Sequence, residues 1–241
     1  MRLALSSSSF RRPLATAAVT QLEWLERCAN VLDVDGVLVA AADFPRTDAD
    51  YVAQVRKVAV DLGIVPFGLD LPGLLDPATP VAVRELLLAL AQRFGAAVVR
   101  TTLPPPGEVP PATFVETVVV AKAVSKAAKA ANVTVLVPAA PGTLGATLPE
   151  VRHLLKDVDS AWLRAVPPAV AAAADQAARG PVPAVSAGPQ DDPAAVVAAA
   201  GGSWVLLELA ASADPWDEAA QAVGRLRDAA AARRLAARSR G

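Results

Sequence analysis

From Val133 to Ser160 the chain reads VTVLVPAAPGTLGATLPEVRHLLKDVDS: a β-branched run, a Pro/Gly loop, then an amphipathic helix from about Leu148. A short, wholly apolar run bounded by turn residues suits a parallel strand buried on both faces. The same strand–loop–helix unit recurs along the whole chain. Strict alternation of this kind is accommodated by a parallel sheet with right-handed helical crossovers. Over 241 residues it predicts eight units closing into a (β/α)8 barrel, one α/β domain spanning 1–241. A doubly wound open sheet is the competing arrangement, and no Gly-rich phosphate loop follows the first strand to favour it.

The expected strands are 2–6, 37–40, 64–69, 96–101, 133–137, 161–166, 182–186 and 204–209. Thr20 with Glu23 has capping-box spacing for the first helix, which runs to about Val31. Thr47–Asp48 starts a second helix that Gly63 stops, and Pro80 opens a third that Gly95 stops. Further helices are expected over 112–131, from Leu148, over 168–178, over 193–200 and from Trp216 to about Ala237, with a frayed tail at 238–241. The proline-rich segment Leu103 to Pro111 is expected to be a stiff, extended loop. It is too short to be a linker, and the alternation resumes unchanged beyond it.

Composition narrows the function classes. Hydrophobic residues make up 54% of the chain, enough for a core on both faces of a sheet, and no window of about 18 uninterrupted apolar residues suggests a membrane span. A net charge of −1 gives no bulk electrostatic case for nucleic acid or an anionic membrane. The apolar run in MRLALSSSSF is too short for a signal peptide, so a cytoplasmic protein is expected. Cys28 is the only cysteine; it excludes an internal disulfide and lies in a helical pattern as a small core residue.

Four segments carry a resemblance: SSSSFRRPL, VDGVLVAAADFPRTDADYVAQVRKVAVDLGI, VLVPAAPGTLGATLPEVRHLLKDVDS and WVLLELAASADPWDEAAQAVGRLR. Together they resemble the xylose isomerase-like TIM barrels, closest to the bacterial sugar phosphate isomerase/epimerase group. The resemblance implies a divalent metal such as Mn2+ or Mg2+ held by Glu, Asp, His and Glu at the ends of strands five to eight. It also implies proton transfer by carboxylates on a sugar. Carried onto this chain, those positions fall at Pro138, about Pro167, Ser186 and Glu208. On strand two, Leu38 and Ala40 stand where the family often has Glu and His. Only Glu208 survives, and one carboxylate does not hold such an ion. The expectation is therefore no metal and no other cofactor: a degenerate, non-catalytic barrel, a pseudoenzyme, that binds a small sugar-like ligand or a partner. The alternative is an active isomerase or epimerase that moves protons without metal, through Glu208 with Asp43 or Asp70. The related apurinic-site nucleases need several histidines, and this chain has only His153, expected on a helix surface.

Each candidate has an ordinary reading beside the functional one. Glu208 is a base or ligand-binding group, or a solvated or paired carboxylate. Arg100, at the end of strand four, matches an arginine that contacts substrate in the family; a contact with Glu208 is expected. Ser186 and Gly188 lie where many barrels bind phosphate, though an ordinary turn also suits Ser-Ala-Gly. Asp43 and Asp70 are placed to line a pocket, and Asp70 before Leu-Pro-Gly also suits a turn. The glycines around Thr143 fit a turn better than a phosphate loop, because no Gly-Lys-Ser/Thr follows. Ser6 to Ser9 either expose hydroxyls or form a turn, and Trp162, Trp204 and Trp216 are expected to be packing anchors. A homo-oligomer with the proline-rich loop in its interface is a further possibility.

Overall fold

A computed structural model describes residues 1–174, 184–209 and 215–239. Its eight strands are β1 (Arg2–Ser6), β2 (Gly36–Ala40), β3 (Val65–Asp70), β4 (Val98–Arg100), β5 (Thr134–Pro138), β6 (Leu163–Val166), β7 (Ala184–Ala187) and β8 (Trp204–Leu207). All observed pairings are parallel, in the order β6-β5-β4-β3-β2-β1-β8-β7. A further parallel bridge joins Pro168, just beyond β6, to Ser186 in β7. The helices are α1 (Arg11–Ala15), α2 (Gln21–Asn30), α3 (Ala49–Asp61), α4 (Val81–Phe94), α5 (Pro110–Ala131), α6 (Leu148–Val158), α7 (Ala169–Ala174), α8 (Pro193–Ala200) and α9 (Pro215–Arg238). Strand and helix alternate as a (β/α)8 barrel requires. The chain divides into two compact units, residues 1–39, 57–65 and 168–241, and residues 40–56 and 66–167.

In the first unit β1 lies between β2 and β8, with Leu5 beside Val37 and Leu3 beside Val205, and β7 flanks β8. Leu3, Leu5, Val37, Val205 and Leu206 are wholly buried, as the apolar runs predict. Asp35, immediately before β2, accepts the Leu3 amide at 2.7 Å and pairs with Arg227 of α9 at 3.0 Å. One guanidinium thus ties the last helix to the start of two strands. Phe10 packs between Trp24 and Trp216, ring centroids 6.1 and 4.4 Å away, and Arg2 lies over Trp204. Trp204 and Trp216 are packing anchors, as expected. Cys28 is wholly buried, and desolvation pushes its thiol pKa up, which keeps the thiolate from forming.

In the second unit β3, β4, β5 and β6 pair in sequence, with Leu69, Val99, Val135 and Leu163 in successive register. Phe44 meets Phe94 edge-on at 5.7 Å. Gly95 ends α4 at φ 80°, with Arg56 against the space a side chain would fill. Both capping boxes form. Thr20 Oγ accepts the Glu23 amide while Glu23 accepts the Thr20 amide, and Thr147 with Glu150 repeats the exchange at α6. The Thr20 amide holds the exposed Glu23 carboxyl below its ordinary pKa.

Several boundaries differ from expectation. The proline-rich segment does not run unstructured to Pro111: Pro110 and Pro111 occupy the first turn of α5, where proline loses no intrahelical hydrogen bond and its fixed φ suits a helix. A 3-10 turn over Ser7–Phe10 and the short α1 replace the simple polar exit after β1. Strand β4 is shorter than expected, and β8 ends at Leu207, which leaves Glu208 as the first residue beyond the strand. Arg238 is the last residue of α9 rather than part of a tail. Residues 182–183 of strand seven, 175–178 of the helix after β6 and 240–241 of the tail lie outside the described residues.

Gly36 is the most closely packed of the described glycines of the first unit: a Cβ there would stand 2.9 Å from the Trp204 ring and 3.0 Å from the Val65 carbonyl. Gly36→Ala is expected to lower unfolding free energy by ~1–3 kcal/mol through overpacking, measured by urea denaturation. Wild-type stability in that variant would show that the ring yields.

Candidate functional site

A parallel strand buried on both faces carries polar side chains at its ends, and the C-terminal ends of barrel strands hold the loops that do chemistry. In the second unit Asp70 ends β3 and Arg100 ends β4, and the two are register partners. Arg100 Nη2 lies 2.9 Å from Asp70 Oδ2 and Nε 3.1 Å from Oδ1, a bidentate ion pair. Arg100 is 8% exposed and Asp70 half-buried. The Leu71 amide donates to the Arg100 carbonyl, and the amide of wholly buried Thr101 to the Leu136 carbonyl, so the backbone under the pair is fixed on both sides. Such a planar fork presents directed N–H groups at low entropic cost. Asp43 sits half-buried in the 3-10 turn Ala41–Asp43 after β2.

The loop after β5 is a closed turn. Thr143 Oγ1 donates to the Ala140 carbonyl and accepts the Gly145 amide, while the Leu144 amide reaches the Pro104 carbonyl. His153 is exposed on α6 as expected, and it has a partner that the sequence did not reveal: its ring stacks on Phe114 at 5.4 Å.

In the first unit Glu208 directly follows β8 and is half-buried. Its amide donates to the Ala187 carbonyl, and the next amide, Leu209, donates to Ser9 Oγ at 2.9 Å. Glu208 is thereby held on rigid backbone beside β7. Ser186 is half-buried within β7, and the Gly188 amide donates to Asp191 Oδ2 at 2.8 Å, closing a turn. Ser6 and Ser7 are wholly buried, and Ser6 shares a 2.6 Å hydrogen bond with Ser8. The serine run is therefore structural at Ser9, which fixes the exit of β8, a role no local sequence signal announces.

The donor set does not fit the divalent metal that the resemblance implies. In the second unit Pro138 ends β5 and Pro167 follows β6, and neither side chain has a donor atom. In the first unit Ser186 and Glu208 supply one hydroxyl and one carboxylate, short of the oxygen-rich shell that Mg2+ or Mn2+ takes. Among the described residues, no three His, Cys, Asp or Glu side chains group as a metal centre needs.

Comparison with solved structures places this geometry. The probable 3-DHS dehydratase AsbF from Bacillus anthracis superposes with a TM-score of 0.74 at 13% identity, covering 94% of this chain and 99% of its own. A D-psicose 3-epimerase crystallised with D-fructose gives 0.72 at 15% identity, covering 98% and 99%. The fold is that of the xylose isomerase-like TIM barrels. A family 2 AP endonuclease from Brucella melitensis shares it too, with a TM-score of 0.70 at 15% identity over 90% of this chain and 96% of its own. No family model and no curated protein sequence matches the chain. No helix among the described residues is long and apolar enough to cross a membrane.

The ion pair makes a direct stability test. Asp70→Leu removes the carboxylate that pairs with the nearly buried Arg100 guanidinium and is expected to cost ~2–4 kcal/mol, whereas Asp70→Leu combined with Arg100→Met should recover most of the loss, with Arg100→Met alone as the second single variant. Urea denaturation of the double-mutant cycle measures the coupling; additive losses would mean that the pair contributes nothing as a pair.

Proposed function

We propose that this barrel binds a small, polar, sugar-like molecule at its strand ends and does so without the divalent-metal chemistry that the family resemblance implies. The observation that carries this reading is the pair of prolines at the ends of β5 and β6. They remove side-chain donors where the resemblance would put metal ligands, while the Asp70–Arg100 pair keeps a directed polar group in the same unit. A guanidinium held in place by a carboxylate is preorganised, which suits recognition of the hydroxyl and carbonyl oxygens of a sugar. The chain is accordingly read as non-catalytic: Glu208 is a single carboxylate, and one carboxylate does not supply both ends of a proton transfer. One of the structural relatives, the D-psicose 3-epimerase, is a sugar epimerase by its name, which supports the ligand class.

Calorimetric titration of chelator-stripped protein with Mn2+, Mg2+ and a panel of ketohexoses and their phosphates tests the reading. The expected result is no stoichiometric metal binding, saturable binding of one sugar class, and weakening of that binding by ~10-fold or more in Arg100→Met. Stoichiometric metal binding, or turnover of a sugar in the presence of chelator, would overturn it.

A further inference from the structure

The outer surface of α5 is unusual for a barrel helix. Val115 and Val119 are 61% and 63% exposed although the helix belongs to the outer ring of a folded domain. At ~100° per residue, Val115, Glu116, Val119, Lys122, Ala123 and Lys126 all fall within about 60° of Val119, and all six are exposed. Glu116 stands three residues before Val119 and Lys122 three after it. Among the described residues neither Glu116, Lys122 nor Lys126 forms an ion pair. The adjacent helix α4 packs against α5 and itself carries exposed apolar side chains, Val83 and Leu86, 42% and 67% exposed.

We propose that this face is the two-fold interface of a homodimer, with α5 packed antiparallel on α5 of a second copy and Val119 at the axis. A two-fold axis demands a surface complementary to itself, and this face meets that demand in charge as well as apolarity. With the helices inclined by about 20°, the usual bundle angle, Val119 meets its counterpart and Val115 lies along the aliphatic stem of Lys122 from the other copy. Glu116 then stands over the small Ala123 of the other copy, at the height of Lys122 and flanked by Lys126. The same contacts repeat on the other side of the axis. A partner of different sequence has no reason to find negative and positive charge spaced equally about an apolar centre. A second copy does. The interface does not depend on the ligand-binding reading of the strand ends.

The test uses sedimentation equilibrium of the full chain, with circular dichroism melts to confirm that each variant folds. The wild type is expected to dimerise. Glu116→Lys, and separately Lys122→Glu with Lys126→Glu, are expected to weaken self-association by ~10-fold or more, because each puts like charges across the axis twice. Mixing the two variants in equal amounts restores complementary pairs and should give a heterodimer of wild-type affinity. A wild type that stays monomeric at the highest soluble concentration would overturn the proposal, as would dimers indifferent to the reversals or a mixture that fails to recover association.

Discussion

Backbone polar groups in a strand buried on both faces have no water to bond, so they pair with neighbouring strands along their length. Every other feature of this molecule follows from that constraint. It permits only apolar side chains within the strands, as Leu3, Val37, Val135 and Val205 illustrate, and it drives polar side chains to the strand ends. Asp70, Arg100 and Glu208 stand where they do because the pairing ladder ends there. The same constraint governs the opposite ends, where Asp35 takes the Leu3 amide and is itself held by Arg227.

A charge at a strand end is only partly desolvated, and its consequences depend on what faces it. Arg100 is nearly buried, so its guanidinium would be costly without a carboxylate. Asp70 provides one in the next strand and in register, so the position of both charges is set by the sheet and not by flexible loops. Glu208 is positioned in another way, by its own amide and the next, through Ala187 and Ser9. Rigid placement of polar groups lowers the entropic cost of binding a ligand and favours recognition over large rearrangement.

Much of the fold was legible because its signals are local. Capping boxes at Thr20 and Thr147, the glycine stop at Gly95 and the apolar runs each declare an element within a few residues. The misreadings arose where one residue type serves two structures. Pro110 and Pro111 look like loop residues by composition, yet proline fits the first turn of a helix as well as extended chain, and only the following residues decide. The candidate site was less legible, because its partners are distant in sequence. Asp70 and Arg100 are thirty residues apart and Ser9 lies two hundred from Leu209, so nothing local says that they meet. Asp70 before Leu-Pro-Gly read equally well as a turn residue. Only the register of β3 against β4 selects the ion pair.

The prolines at 138 and 167 join the fold to the chemistry. At the end of a strand a proline forfeits one amide donor where the ladder is already ending, so the barrel tolerates it at little cost. A carboxylate or an imidazole at either position would carry a desolvation cost that a bound cation normally offsets. Proline at such a position carries no such cost. In the second unit Asp70 and Arg100 neutralise each other at the ends of β3 and β4, so these strand ends hold their charges without any further ion.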